Sequence, residues 1–485
     1  MPPVRTSSFD EVFEFDGART GLGMCPVINV DPSSVGSLSD GINYNGSFFW
    51  WMDMCMWQGK PTVVHCELVP NGMGGSSPQG PYVQQYDPGS NTWSLIGGSL
   101  DPTAVLNPSA TGDRYYPGTV RIGTDPGGTD LWVSYYDRTV TGPSTFVITL
   151  RLMHWTGAAW VEASNVQVSG ATAAQVAVGG GRAQCVFGTQ NAPSPIPFSP
   201  GAQDIGVLRS DGTVSYWPRY HPDWYPANGG SPACCVTSTG RFVGFFAATP
   251  ETGYRSWATM FDLDTMQVIK QTPTQAGPSL LVPHGVNTDG GFIEPLGTAQ
   301  RYINSLIAVT FFPHTLLLVP EDGSHDFWTF DGSDTHFLGQ SIAQDPNKPG
   351  QIWTAYPVGD TGWGCEEDSP MRLWKAACGS YSGTTSPDPT LNANPTRDLA
   401  NEILIPVLDA CLPINPFFGC AYGYAPIVVD GDDLYVGFLY FPSVTGSLFL
   451  EKAQFIVWRN PIRRDGALCG PTTGPVFASR HKGVN

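Results

Sequence analysis

With 485 residues, 41% hydrophobic and only 14% charged, the chain can bury a large core, and its 15 Trp, 18 Tyr and 25 Phe argue against disorder. A formal net charge of −18 repels phosphate backbones and anionic lipid, so nucleic acid and membrane surfaces are excluded as expected partners; no apolar run reaches the length of a membrane span. The 57 glycines and 44 prolines punctuate aromatic and β-branched runs, which is the pattern of strands and turns and not of helices.

In chain order, residues 1–45 form an N-terminal arm. Its start, Met1-Pro-Pro-Val-Arg, lacks the apolar segment of a secretory signal, and synthesis in a cytosol is the expectation. The acidic and aromatic run Phe9-Asp-Glu-Val-Phe-Glu-Phe-Asp16 reads as an arm or as a strand added to the fold from the N-terminal side. Residues 46–380 then repeat a unit of apolar strand, Gly/Asp turn, aromatic-alternating strand, turn, and strand ending in Trp. Residues 81–93 give a strand, a tight turn and a return strand. The clearest copy has Val120-Arg-Ile, Asp130-Leu-Trp-Val-Ser-Tyr-Tyr, Phe146 to Trp155 and Ala159-Trp-Val-Glu: four strands in about forty residues, the size of one propeller blade. Further copies follow near residues 175–217, 233–269, 306–332 and 351–375.

Residues 381–425 read as a mostly irregular insertion with a short helix. Asn394 caps it, Pro395 occupies its first turn, and Leu399, Ile403, Leu404 and Val407 share a face until Pro406 ends it. A last blade spans 426–462 and a tail 463–485. The fold expected is therefore all-β, a β-propeller of about six or seven antiparallel blades.

Motifs that carry chemistry are scarce. No GxSxG, phosphate-cradling loop or HExxH is present, and no catalytic residue is assigned. The eleven cysteines include no CxxC and no finger-like Cys/His spacing, so neither a metal nor a cofactor is expected; Cys365/Cys378 and Cys411/Cys420 are possible disulfides, with free buried thiols the plainer reading. Asp125 to Asp130 and Asp430 to Asp433 are oxygen-rich enough for Ca²⁺ but are also ordinary turn sequences. Glu366-Glu-Asp368 could supply an acid–base pair but reads more simply as a solvated loop. The most unusual segment is Tyr216-Trp-Pro-Arg-Tyr-His-Pro-Asp-Trp-Tyr225. Within it Trp217, Arg219, Tyr220, His221, Asp223 and Trp224 are candidate carbohydrate-binding residues, because aromatic faces pack on the apolar faces of sugar rings. A loop that plugs one face of the ring is the preferred alternative.

Tyr86-Asp-Pro-Gly-Ser-Asn-Thr-Trp93 resembles the turn and fourth strand of kelch-type blades, although Gly97-Gly98 follows the Trp where that family's double glycine stands elsewhere. Ser210-Asp-Gly-Thr-Val-Ser-Tyr-Trp217 has a loose likeness to the sialidase Asp-box turn without its spacing. Across residues 45–460, low Lys, abundant Gly, Pro and Trp, and degenerate blades such as Leu152-Met-His-Trp-Thr-Gly-Ala-Ala-Trp160 resemble bacteriophage tail or neck structural proteins. That resemblance implies a non-enzymatic virion component, a symmetric homo-oligomer that contacts other virion proteins, located in the particle. The alternative is a propeller that binds or degrades host-surface polysaccharide.

Overall fold

The computed structural model describes residues 12–13 and, with short breaks, residues 52–100, 120–189, 204–271, 298–357, 371–377, 402–405 and 420–463. All regular structure among them is β, in seven antiparallel sheets of four or more strands plus one small hairpin, Val444–Thr445 with Phe449–Leu450.

Each sheet is one blade, and in blades 1 to 6 the four main strands follow chain order from the axis outward. Blade 1 comprises Met52–Trp57, Lys60–Pro70, Ser76–Asp87 and Thr92–Leu95. Blade 2 comprises Arg121–Thr124, Leu131–Gly142, Thr145–Trp155 and Trp160–Val168. Blade 3 comprises Ala174–Gly179, Arg182–Thr189, Asp204–Arg209 and Val214–Tyr216. In blade 4, Ala233–Val236, Phe242–Thr249, Trp257–Asp262 and Val268–Gln271 are joined by Tyr225–Pro226. Blade 5 runs Thr298–Tyr302, Leu306–Phe311, Thr315–Pro320 and Trp328–Asp331. Blade 6 runs Ser341–Gln344, Gln351–Pro357, Met371–Ala377 and Glu402–Ile405. Blade 7 is built from both ends of the chain. Ile427–Val429, Asp433–Phe441 and Gln454–Arg463 are completed on the outside by Val12–Phe13, and Cys420–Tyr422 extends one edge.

The innermost strand of every blade lies against that of the next, and Ile427–Val429 of blade 7 lies against Met52–Trp57 of blade 1. The ring is closed: the protein is a seven-bladed β-propeller. Closure answers the physical problem of a four-stranded sheet with two apolar faces, because each face is covered by a neighbour. Between blades 2 and 3 the shared core holds Trp132, Tyr136, Leu150 and Leu152 against Val176, Cys185 and Phe187. Between blades 3 and 4 it holds Val186, Val207 and Trp217 against Val236, Phe242, Phe246 and Phe261.

One sequence expectation is corrected. Glu402–Ile405 is not helical; it is the outermost strand of blade 6, pairing antiparallel with Met371–Trp374. The run Glu-Ile-Leu-Ile gains a full ladder there, whereas Pro406 would have ended the expected helix after about three turns, marginal on its own hydrogen bonds. Residues 394–401 lie outside the described residues.

A recurrent device sets the thickness of two blades. Phe187 stands directly across from Gly206 in blade 3, and Phe261 across from Gly244 in blade 4. A Cβ on Gly206 would lie 2.3 Å from the Phe187 ring, and one on Gly244 2.5 Å from that of Phe261. The glycines are therefore seats for aromatic rings, the packing known to compensate glycine in a strand. Gly206→Ala should cost about 1–3 kcal/mol through overpacking. In a double-mutant cycle by urea denaturation with Phe187→Leu, we expect a favourable coupling of at least about 1 kcal/mol. Additive losses would show that the ring is not seated on Gly206.

Candidate functional site

The two ends of the ring differ in a way the chain order dictates. Innermost and second strands are joined by short connections, among them the two-residue turns Gln58–Gly59 and Gly180–Gly181, all at one end. The connections that bring the chain from one blade to the next arrive at the other end, where the innermost strands begin at Met52, Arg121, Ala174, Ala233, Thr298, Ser341 and Ile427. Several of these are long: residues 96–120, 217–232 and 272–297 each link successive blades. Most of the long connections thus lie at one end of the frame, where binding residues are most readily placed; the link 378–401 of blade 6 lies at the other.

Beneath those connections the beginnings of the innermost strands are laced together. Asp53 of blade 1 accepts from the backbone N–H of Met54 at 2.9 Å and of Ile122 at 3.1 Å, and its carboxylate lies 3.6 Å from Arg121 Nη1 of blade 2. Arg121 Nε in turn donates to Ala174 O of blade 3 at 3.0 Å. Gln175 accepts from Cys234 N of blade 4 at 2.7 Å through its side chain, and Cys234 Sγ donates to the Gln175 carbonyl at 3.2 Å. Across blades 6 and 7, Ile427 N donates to Ser341 Oγ at 3.3 Å. The chain of contacts fixes the ring's inner wall.

Asp53 and Arg121 are both buried, Arg121 at 1% exposure. Burial raises the Asp53 carboxyl above the usual carboxylate range, against the pull of the Arg121 guanidinium and the two backbone donors. Asp53 is the one carboxylate in the seven innermost strands. These strands therefore present no ring of acids, and the acid–base pair of a glycosidase is not formed by them. The neighbouring thiols are not activated either. Cys55, Cys185 and Cys234 are thiols. Burial pushes Cys55 and Cys234 up, and Cys185 up to about 12, the reverse of what a nucleophilic thiolate needs.

The aromatic segment singled out in the sequence is held at both stumps. Trp217 is 1% exposed, edge-on to Phe246 at 5.0 Å and to Phe261 at 5.6 Å, so its ring serves the seam between blades 3 and 4 and offers no face to a ligand. Its backbone N–H donates to Ile205 O at 2.7 Å. On the far side, Tyr225 and Pro226 pair with Thr249 and Ala248 as an added strand of blade 4. Arg219, Tyr220, His221, Asp223 and Trp224 fall between these anchors and lie outside the described residues.

The Asp-rich turns use their own oxygens. Asp125 accepts from the N–H groups of Gly127, Thr129 and Asp130, which lowers its pKa although partial burial opposes this. Asp430 accepts from Asp433 N at 2.7 Å and Tyr435 Oη at 3.0 Å. Among the described residues no group of three or more His, Cys, Asp or Glu is placed to hold a metal ion. Glu366 to Asp368 are outside them. A second polar cluster sits at the opposite end of blade 2, where His154 Nε2 meets Asp130 Oδ1 at 2.7 Å and stacks on Trp132 at 4.2 Å. Nothing in the sequence pattern marked His154; its signal is visible only once strands 131–142 and 145–155 are in register.

No family model matches the chain, and no curated protein does. Among solved structures, a Penicillium chrysogenum α-L-arabinanase complexed with arabinobiose is similar at 10% identity over 70% of this chain and 97% of that one, with a TM-score of 0.44. The β-propeller domain of Myceliophteria thermophila Cps50 (Swd1) is similar at 8% identity over 86% and 98%, TM-score 0.42. A protein of unknown function from Dyadobacter fermentans is similar at 13% identity over 89% and 100%, TM-score 0.39. At such identities these are likenesses of fold alone.

Proposed function

We propose that the protein is a carbohydrate-binding propeller that recognises surface polysaccharide with its loop-bearing end. The observation that carries this reading is the anchoring of the aromatic segment. Trp217 is locked into the seam between two blades and Tyr225–Pro226 into a sheet, so residues 218–224 leave and rejoin a fixed frame within seven positions. Among those seven residues Tyr220 and Trp224 are of sugar-stacking type, and Arg219, His221 and Asp223 carry hydrogen-bonding groups.

Calorimetric titration with a panel of neutral and acidic polysaccharides, arabinan among them, tests the proposal. For a glycan that binds, Trp224→Ala and Tyr220→Ala should each weaken affinity by about tenfold or more, about 1.4 kcal/mol, with unchanged thermal stability. Trp217→Phe should do the opposite and lower stability without changing affinity. Absence of binding across the panel, or full affinity in Trp224→Ala, sinks the assignment.

A second reading, a bacteriophage tail or neck component, is favoured by the rim of blade 2. Trp160–Val168 is a nine-residue outermost strand with an exposed alternating face and Val161 at 49% exposure, a suitable edge for a neighbouring chain in an assembly. Quantitative mass spectrometry of gradient-purified, DNA-filled particles decides it: a fixed copy number per particle supports the reading, and absence from particles removes it.

A further inference from the structure

At the corner where the third strand of a blade turns into the outermost one, a cross-strand pair of side chains faces the preceding blade. In blades 1, 3 and 4 the third-strand members are Tyr86, Leu208 and Phe261, opposite Trp93, Val214 and Val268. All three are fully buried, Tyr86 against Tyr435 of blade 7 and the other two in the cores shared with blades 2 and 3. Blade 2 departs from this. Its pair is Trp155 and Trp160, with ring centroids 5.3 Å apart, and both indoles are only half-buried. What leans on them from blade 1 is the double glycine Gly97-Gly98. Trp160 Nε1 donates to Ile96 O at 2.8 Å, which draws that backbone against the rings. A Cβ on Gly97 would lie 2.9 Å from both rings, and one on Gly98 would meet nothing within 4 Å. Blade 1 therefore meets the indoles at these two positions with backbone, and lays no side chain over them.

Beside the rings, on the same face of blade 2, runs a row of polar groups already held in place. Alternation puts Arg151 with Trp155 on the third strand and Glu162 with Trp160 on the outermost one. Arg151 donates to Asp137 Oδ2 through Nε at 3.3 Å and Nη2 at 3.1 Å, and to Glu162 through Nη1. Asn165 Nδ2 donates to the other oxygen of Glu162, and both Glu162 and Asn165 are exposed. We propose that this corner is a second carbohydrate site, on the outer wall of the ring at the seam of blades 1 and 2, for uncharged sugar units; it rests on the carbohydrate-binding reading and adds a site to it. The indoles offer apolar ring faces, and Glu162 and Asn165 offer an acceptor and a donor beside them. Arg151 is already met by two carboxylates, so the row has no spare positive charge for an acidic sugar. One pair of rings is also far short of the area a stable protein interface buries.

The test is calorimetric titration of the full chain with arabinotriose, cellotriose, maltotriose and chitotriose, and with oligogalacturonate as the acidic counterpart. For a neutral sugar that binds, the parent should take up two molecules per chain, Trp155→Ala and Trp224→Ala one each, and the double variant none. Should Trp155→Ala fold poorly, Asn165→Ala serves. It is an exposed change that leaves both rings in place, and it should weaken the rim site by about threefold or more with the melting temperature unchanged. One molecule per chain in the parent, lost in Trp224→Ala and kept in Trp155→Ala, overturns the rim site and leaves the end-loop reading standing. One molecule lost in Trp155→Ala and kept in Trp224→Ala upholds the rim site and overturns the end loop. Parental uptake and affinity in both Trp155→Ala and Asn165→Ala overturn the rim site. So does binding of oligogalacturonate with none of the four neutral sugars, and so does no binding at all.

Discussion

Arg121→Met is expected to destabilise the protein by about 3–5 kcal/mol, because it leaves the Asp53 carboxylate buried without its counter-charge. The guanidinium is enclosed at 1% exposure and reaches two other blades, so no water can replace it without opening the inner wall. The loss should also depend on pH in a definite direction. Burial already holds Asp53 above its ordinary pKa, with Arg121 the leading influence pulling it down; without Arg121 it rises further. A carboxyl whose folded pKa is raised favours folding while protonated, and that benefit is lost as pH rises through the folded value. Urea titrations at pH 5 and pH 8 should therefore find the variant closer to the parent at the lower pH. Asp53→Asn in the Arg121→Met background should recover part of the loss at pH 8, since no charge then remains buried. An Arg121→Met protein as stable as the parent at both pH values would remove the ion pair from the list of forces that hold blades 1 and 2 together.

The second large effect concerns His65, on the second strand of blade 1. It is fully buried, its ring nitrogen Nε2 lies 3.0 Å from the Gln84 amide nitrogen, and burial lowers its pKa to about 3. The amide N–H donates to a neutral imidazole; an imidazolium would meet donor with donor. An unfolded histidine takes up its proton near pH 6.5, so the unfolded state binds more protons throughout the interval from there to about 3. Stability is complete above the unfolded value and falls with acidification, by about 1.4 kcal/mol per pH unit and about 5 kcal/mol across the whole interval. His65→Gln should flatten that part of the acid limb while leaving stability at pH 7.5 within about 2 kcal/mol of the parent. Denaturant titrations at pH 7.5, 5.5 and 4.5 measure both slopes. An unchanged slope in the variant would assign the acid sensitivity to other groups.

The architecture was legible in the sequence where it rests on local pattern. Blade 2 shows four alternating runs broken by turn residues, and those are the strands the structure contains. The helix expected near residue 400 failed because its apolar spacing fits a four-residue strand as well, and only the edge offered by Met371–Ala377 decides between them. The site was less accessible. Asp53 and Arg121 belong to no motif and lie in different blades; their meeting is a property of ring closure. Trp217 and Trp224 look alike in sequence. That the Trp217 ring is spent on the seam between two blades is set by the neighbouring blade, which local composition does not encode. The same holds for Phe187 and Gly206, whose pairing is fixed by cross-strand register and by no periodicity within either strand.

Building blade 7 from segments about 450 residues apart has a consequence for the order of events during synthesis. Val12–Phe13 leave the ribosome about 450 residues before their partners Ile462 and Arg463. At about 5–20 residues per second, the N-terminal strand waits roughly 25–90 s before its acceptor edge exists. Six blades can form in sequence during that interval, each shielding one face of its predecessor, but blades 1 and 6 keep an uncovered apolar wall until the last strand arrives. A nascent chain stalled short of residue 454 is therefore an open crescent with two sticky ends, the species on which a chaperone has most to act.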